Sequence, residues 1–145
     1  MLDDVTLEKS LPHSLDAERA VLGAILLDNR LYDQAAELLT DGDFYSDGHR
    51  RIFHRMEVLS AASRAIDSVT LREELQKSNE LEGVGGTAYI ASLVDGVPRI
   101  SNLAHYARIV KEKSVLRKLI RSSNQIMLRS FAADEDPLAL LEDAE

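Results

Sequence analysis

A chain of 145 residues, 45% of them hydrophobic, suits one domain able to bury a core, and the absence of cysteine excludes disulfides, thiolate metal sites and cysteine nucleophiles. The formal net charge of -8 argues against tight nonspecific binding of the whole chain to duplex phosphates, while leaving room for a local basic patch. No run approaches the roughly 18 apolar residues of a membrane span, and residues 1–5 are acidic without an apolar signal region, so a soluble cytoplasmic protein with no membrane partner is expected.

Residues 1–11 carry no sustained period and read as a flexible leader. The first helix opens at Ser14 as N-cap, with Asp16 and Glu18 set against the helix's positive end and Asn29 after its last turn. Leu15, Val21, Leu22, Ile25 and Leu26 share one face, and Gly23, which costs about 1 kcal/mol relative to alanine in mid-helix, marks the close approach of another helix. Asn29 is the expected cap of a second helix with Leu31, Ala35, Leu38 and Leu39 on its apolar side, stopped by the Thr40-Asp41-Gly42-Asp43 cluster. Ser46 caps a third, in which Ile52, Phe53, Met56 and Leu59 point inward while His49, Arg50, Arg51 and Arg55 form a basic, partly solvated side. Asp67 or Ser68 caps a fourth, with Val69, Leu71 and Leu75 inward and Asn79 near its end. The Gly83-Val84-Gly85-Gly86 turn leads to a fifth, carrying Tyr89, Ile90, Leu93 and Val94 and ended by Gly96 and Pro98.

From Ser101 or Asn102 to about Phe131 there is neither glycine nor proline, which predicts one helix of roughly 30 residues, about 45 Å long at 1.5 Å per residue. A head of residues 12–100 has an expected radius of gyration of only about 12 Å, so such a helix projects beyond it. Its stripe changes along its length: Leu103, Tyr106, Ala107 and Val110 form a group near the head, and Leu116, Leu119, Ile120, Ser123, Ile126 and Met127 form an outer group that needs a partner. Asp136 and Pro137 suit the N-cap and first turn of a returning helix whose Leu138, Leu140 and Leu141 cover part of that stripe. The reading is an all-α chain: a globular head of about five helices, then residues 101–145 as a projecting helical hairpin whose second helix is expected to continue beyond Glu145.

Catalytic and metal-binding arrangements find little support in the spacing. Asp41, Asp43 and Asp47 with Gly48 suggest a calcium loop, but position six from Asp41 is Ser46 rather than glycine and position twelve is Ile52 rather than an acid. His49 and His54 lie five apart, off one helix face, and read as solvated or locally bonded rather than as joint metal ligands. His13, Ser14 and Asp16 lie close in sequence, but capping explains the serine and the aspartate without a nucleophile, base and orienter, and the 83–87 segment lacks the strand and the lysine of a phosphate-binding loop. A small hydrolase would rest only on scattered histidines and acids, so no catalytic, cofactor or metal residues are assigned. The basic run Arg108, Lys111, Lys113, Arg117, Lys118 and Arg121 reads as a solvated face, paired with Asp134, Glu135, Asp136, Glu142 and Asp143. The alternative is a single-stranded nucleic-acid-binding module using Arg108, Lys111, Arg117, Lys118 and Arg121, though aromatic residues are not interleaved with the charges.

An ordered series of segments resembles the N-terminal domain of the DnaB-type replicative DNA helicases. It runs through residues 12–29, Asp43-Phe44-Tyr45, His49-Arg50-Arg51-Ile52-Phe53, Ile66-Asp67-Ser68-Val69-Thr70-Leu71, Gly85-Gly86-Thr87-Ala88-Tyr89 and the Tyr106 to Lys113 stretch, in the family's order. Arg19 stands where many family members have glutamine. The resemblance implies a non-catalytic collar domain of a hexameric ring, truncated before the linker and the ATPase domain that carries ATP and magnesium, with no cofactor of its own. It implies homodimeric pairing through the hairpin, a trimer of dimers in the full-length hexamer, docking of the C-terminal domain of a DnaG-type primase during DNA replication, and DNA contact through the full-length ring. By position, Tyr89, Ile120, Ile126 and Leu140 are the leading candidates for a hairpin surface used in pairing or primase contact, with Leu116, Leu119, Ser123 and Met127 beside them.

Overall fold

The computed structural model describes residues 10–96 and 102–145. The described residues are all helical apart from turns and loops: α1 (Leu15–Leu27), α2 (Leu31–Leu38), a 3-10 turn (Asp41–Asp43), α3 (Asp47–Ala61), α4 (Ser68–Lys77), α5 (Gly86–Asp95), α6 (Leu103–Ala132) and α7 (Pro137–Ala144). The expected leader falls almost entirely outside the described residues, as do Pro98 and Ser101, expected at the end of α5 and the start of α6.

Local chemistry starts most of these helices where the sequence places them. Ser14 Oγ accepts the Ala17 N–H and Ser46 Oγ the His49 N–H, both at 3.2 Å, and Asp67 accepts from Val69 and Thr70 while Thr70 returns a hydroxyl to the Asp67 N–H. The start of α2 differs. Asn29 does not cap it; the Asp28 carboxylate instead accepts the Arg30 N–H at 3.1 Å, and α2 begins from a helical Arg30 without a side-chain cap. Gly85, at φ +119, occupies the left-handed region that an L side chain rarely adopts, and turns the chain into α5.

Residues His13–Ser114 form one compact unit. In it α1 packs against α2, α3 and α5, and α4 against α3 and α5. Val21, Leu22, Ile25, Ile52, Phe53, Met56, Leu71, Leu75, Ile90 and Leu93 share one core, in which Phe53 lies 5.0 Å from Phe44 and 5.7 Å from Tyr32 between ring centroids. Val69, expected to face inward, is exposed: Leu71 and Leu75 fix the buried side of α4 at i and i+4, and a residue two before Leu71 lies nearly opposite. The core also takes in Leu103, Ala107 and Val110. The compact unit therefore extends beyond the expected residue-100 boundary into the first turns of α6. The second unit groups Val115–Glu145 with the segment ending at Pro12. There α6 runs to Ala132, Ala133 takes a left-handed φ of 54°, and Pro137 opens α7 with its fixed φ.

Candidate protein-interaction surfaces

Within the head unit, three elements meet at one buried acid. Glu18 on α1 is 1% exposed; its carboxylate accepts the Tyr45 N–H at 2.7 Å, the Ser46 N–H at 3.3 Å and His49 Nδ1 at 2.7 Å. With Nδ1 donating to Glu18, Nε2 of His49 is left to accept the Tyr89 hydroxyl, 2.5 Å away on α5. Burial raises the Tyr89 phenol above its ordinary value and the Glu18 charge adds to this, against an opposing pull from the Arg19 guanidinium. The chain Glu18–His49–Tyr89 thus ties α1, the entry to α3, and α5 together through charge-assisted hydrogen bonds.

Two sequence expectations are corrected here. His49, placed on a solvated basic side, is 2% exposed. Its helix buries it because Glu18 supplies an acceptor that the sequence pattern does not reveal. Tyr89, assigned to the hairpin surface, belongs to α5 of the head unit, where it is half-buried with its hydroxyl held by His49. Its ring edges a cavity of about 550 Å³ also lined by Asp16, Arg19, Ser92 and Tyr106.

Most of the acids and histidines weighed as catalytic or calcium-binding groups are dispersed; Asp41 and His54 are the exception, with His54 Nδ1 3.2 Å from Asp41 Oδ2. Ser14 caps α1, Asp16 pairs with Arg19, and His13 stacks on Tyr45 at 4.1 Å. Asp47 pairs with Arg50 and Arg51. Asp43 is buried and accepts from Ser114 Oγ at 2.7 Å, Lys111 Nζ at 3.2 Å and the Thr40 N–H at 2.9 Å. Burial opposes ionisation of Asp43, but those donors outweigh it and hold the carboxyl below its ordinary value.

The same contacts alter the basic run. Lys111 is committed to Asp43, and Arg117 is 3% exposed with Nη1 donating to the Pro12 carbonyl at 2.9 Å. Arg117 thus keeps its charge from the surface, whereas the Lys111 side chain remains 42% exposed although it is bonded to Asp43; the spacing groups both with the exposed Arg108, Lys118 and Arg121. The expected acidic counterpart pairs elsewhere: Glu135 and Asp143 both hold Arg129.

In the second unit, Arg129 near the end of α6 holds Glu135 in the turn before α7 and Asp143 in the last turn of α7. Beneath this clamp lies a cavity of about 420 Å³, edged by Ile126, Ala133, Pro137, Leu140 and Leu141. Ile120, Ile126, Met127 and Leu140 are half-buried, so α7 covers only part of the stripe. Leu116, Leu119 and Ser123 are exposed. Sequence reasoning missed Leu128 and Phe131, exposed at 56% and 81%; Phe131 served there only to mark the helix end. Their signal was available, since aliphatic and aromatic residues at a helix end with no partner in the chain are themselves unusual.

The described residues thus form an all-helical chain with a buried polar cluster in one unit and exposed apolar side chains on the helical pair of the other. Residues 10–112 match the family described as DnaB-like helicase N-terminal domain, and the chain belongs to that family. It is 41% identical over 138 residues to the replicative DNA helicase DnaB of Geobacillus stearothermophilus, covering 95% of this chain and 30% of that protein. It is 37% identical to the replicative DNA helicase DnaC of Bacillus subtilis over 144 residues, 99% of this chain and 32% of that one. The chain therefore spans about a third of the length of these relatives. The crystal structure of the N-terminal domain of DnaB helicase from Mycobacterium tuberculosis superposes with a TM-score of 0.88 at 31% identity, over 93% of this chain and 96% of that one. The fold is also shared by a DnaB-like replicative helicase whose structure was described with its interactions with primase, at a TM-score of 0.76 and 24% identity over 91% of this chain and 32% of that one.

Proposed function

We propose that this domain acts without catalysis, as the collar element through which copies of a replicative helicase pair and dock primase during DNA replication. The carrying observation is the uncovered apolar surface of the second unit: Leu116, Leu119, Leu128 and Phe131 on α6 and Leu138 and Leu141 on α7 all stand exposed. A solvated α7 of eight residues has little stability of its own, and a second copy of the same unit is the occupant that buries both helices at once. Paired through such units, copies form the dimers of a three-dimer ring. The partner after assembly is the C-terminal domain of a DnaG-type primase, a role supported by family membership and by the primase interactions named for the related helicase structure. No cofactor takes part in this role, and ATP, magnesium and contact with DNA belong to the remainder of a full-length helicase in the cytoplasm.

Sedimentation of the 145-residue chain tests the pairing. Dimers at high micromolar concentration are expected, and Ile126→Asp weakens them by placing a charge in an apolar contact. Monomer alone at that concentration sinks the pairing role. Titration with the cognate primase's C-terminal domain tests the docking, and the absence of both heat and chemical-shift change removes it.

A further inference from the structure

Asp41, His54 and Glu57 bring one potential ligand atom each to within 4.8 Å of one another, on the head unit and apart from the surfaces described above. His54 and Glu57 lie three apart on α3 and so share a face, while Asp41 opens the 3-10 turn packed against that helix. The donor set is mixed: an imidazole nitrogen with two carboxylates, as in open zinc sites where three protein ligands leave a fourth position for water. His54 Nδ1 already stands 3.2 Å from Asp41 Oδ2. Ligand atoms on a tetrahedral zinc ion with bonds of about 2.1 Å lie about 3.4 Å apart, so with His54 and Asp41 already at that spacing the flexible Glu57 carboxylate has to close in by at most about 1.4 Å.

The backbone that carries the ligands is fixed. The turn is closed by Thr40 and Asp43, whose backbone and side chain hydrogen-bond reciprocally, and Asp43 is itself buried against Ser114 and Lys111. The opposite ligands sit in mid-α3, between the buried Phe53, Met56 and Leu59. The field is favourable as well. Beyond the effect of burial, Glu57, Asp33 and Asp41 together push the neighbouring Tyr32 hydroxyl upward, so these carboxylates act on one spot as a shared negative charge. Two groups oppose it, the guanidinium groups of Arg50 and Arg51 on the adjacent Asp41–His54 rim; Arg51 is neutralised by Asp47 and Glu80, and Arg50 by Asp47.

We propose that Asp41, His54 and Glu57 form an open binding site for a borderline divalent transition-metal ion, of which zinc is the type. The bound ion fastens the 3-10 turn to α3 and so braces the same turn that holds Ser114 and Lys111 of α6 through Asp43.

The test titrates zinc chloride into the 145-residue chain in a non-chelating buffer, read by calorimetry and by the imidazole resonances of the histidines. One ion per chain is expected, with the His54 resonances shifted and those of His13, His49 and His105 unmoved. Asp41→Asn and Glu57→Gln, both at exposed or half-exposed positions, are each expected to weaken binding at least tenfold, and His54→Ala to abolish it, with circular dichroism unchanged. Cobalt substituted for zinc should give the intense visible bands of a four-coordinate site. Absent zinc binding, shifts centred on another histidine, or binding that survives Glu57→Gln undiminished overturns the proposal.

Discussion

The buried Glu18 carboxylate sets the stability of the head, and Glu18→Ala measures how much. Three donors converge on it: the backbone N–H groups of Tyr45 and Ser46 and Nδ1 of His49. Truncation leaves all three without an acceptor in a site that is 1% exposed. Each orphaned buried donor costs about 1–3 kcal/mol, but the costs are shared when a water refills part of the space. A total of about 3–5 kcal/mol is expected, because three buried donors lose their acceptor at once. Against a domain stability of about 5–15 kcal/mol, this is a large fraction. Glu18→Gln keeps the shape and one accepting oxygen but turns an NH2 group toward donors, and should cost about 2–3 kcal/mol, below the alanine variant. Urea unfolding followed by circular dichroism at neutral pH reads both. A double-mutant cycle with His49→Ala should return a coupling of at least about 1 kcal/mol, because the two side chains touch. If Glu18→Ala unfolds within about 1 kcal/mol of the parent, or if the cycle shows no coupling, the buried acceptor does not organise this head and the reasoning fails.

Asp43 gives the head an acid-sensitive contact with the first part of α6. Its folded carboxyl lies below the ordinary value, so its contribution is complete above the ordinary carboxylate range and disappears as pH falls through the lowered folded value. The destabilisation caused by Asp43→Asn, measured by urea unfolding, should therefore hold constant down to about pH 5 and shrink as pH falls through and below the ordinary carboxylate range of about 4, and a pH-independent difference would contradict the assignment. Gly85→Ala should cost about 1–2 kcal/mol or more, since φ is +119° and the added Cβ would stand 2.7 Å from Tyr89 Cβ; thermal unfolding checks it, and an unchanged midpoint refutes the strain.

What the sequence made legible was local. The Ser14, Ser46 and Asp67 caps, the heptad-like spacing of Ile52, Phe53, Met56 and Leu59, and the uninterrupted α6 are all signals within a few residues of the structure they produce. The Asn29 cap failed on the same scale, because Asp28 offered the backbone a competing acceptor one residue earlier. The polar contacts were illegible for a different reason. Glu18 meets His49 across 31 residues, His49 meets Tyr89 across 40, and Asp43 meets Lys111 across 68. Nothing in a helical period distinguishes a glutamate at the start of a helix that faces water from one that collects donors from another helix. The same blindness grouped Arg117 with an exposed basic face when it is buried and donates to a carbonyl.

These contacts also decide how interaction-surface substitutions are to be read. Leu116, Leu119 and Phe131 are apolar side chains that stand exposed, so replacing one with a charged residue changes association while leaving the unfolding midpoint of the isolated domain nearly fixed. Tyr89 is different, because its hydroxyl completes the hydrogen bonding of a buried imidazole that in turn contacts Glu18. A loss of pairing or docking on Tyr89→Ala has two sources, a missing ring at the surface and a loosened head beneath it. Tyr89→Phe separates them: it keeps the ring and orphans only His49 Nε2. A docking defect in the alanine variant that the phenylalanine variant lacks belongs to the ring. A defect common to both, accompanied by the same drop in unfolding midpoint, belongs to the buried Glu18–His49 pair, and the interaction then depends on Tyr89 as a strut of the head rather than as a contact.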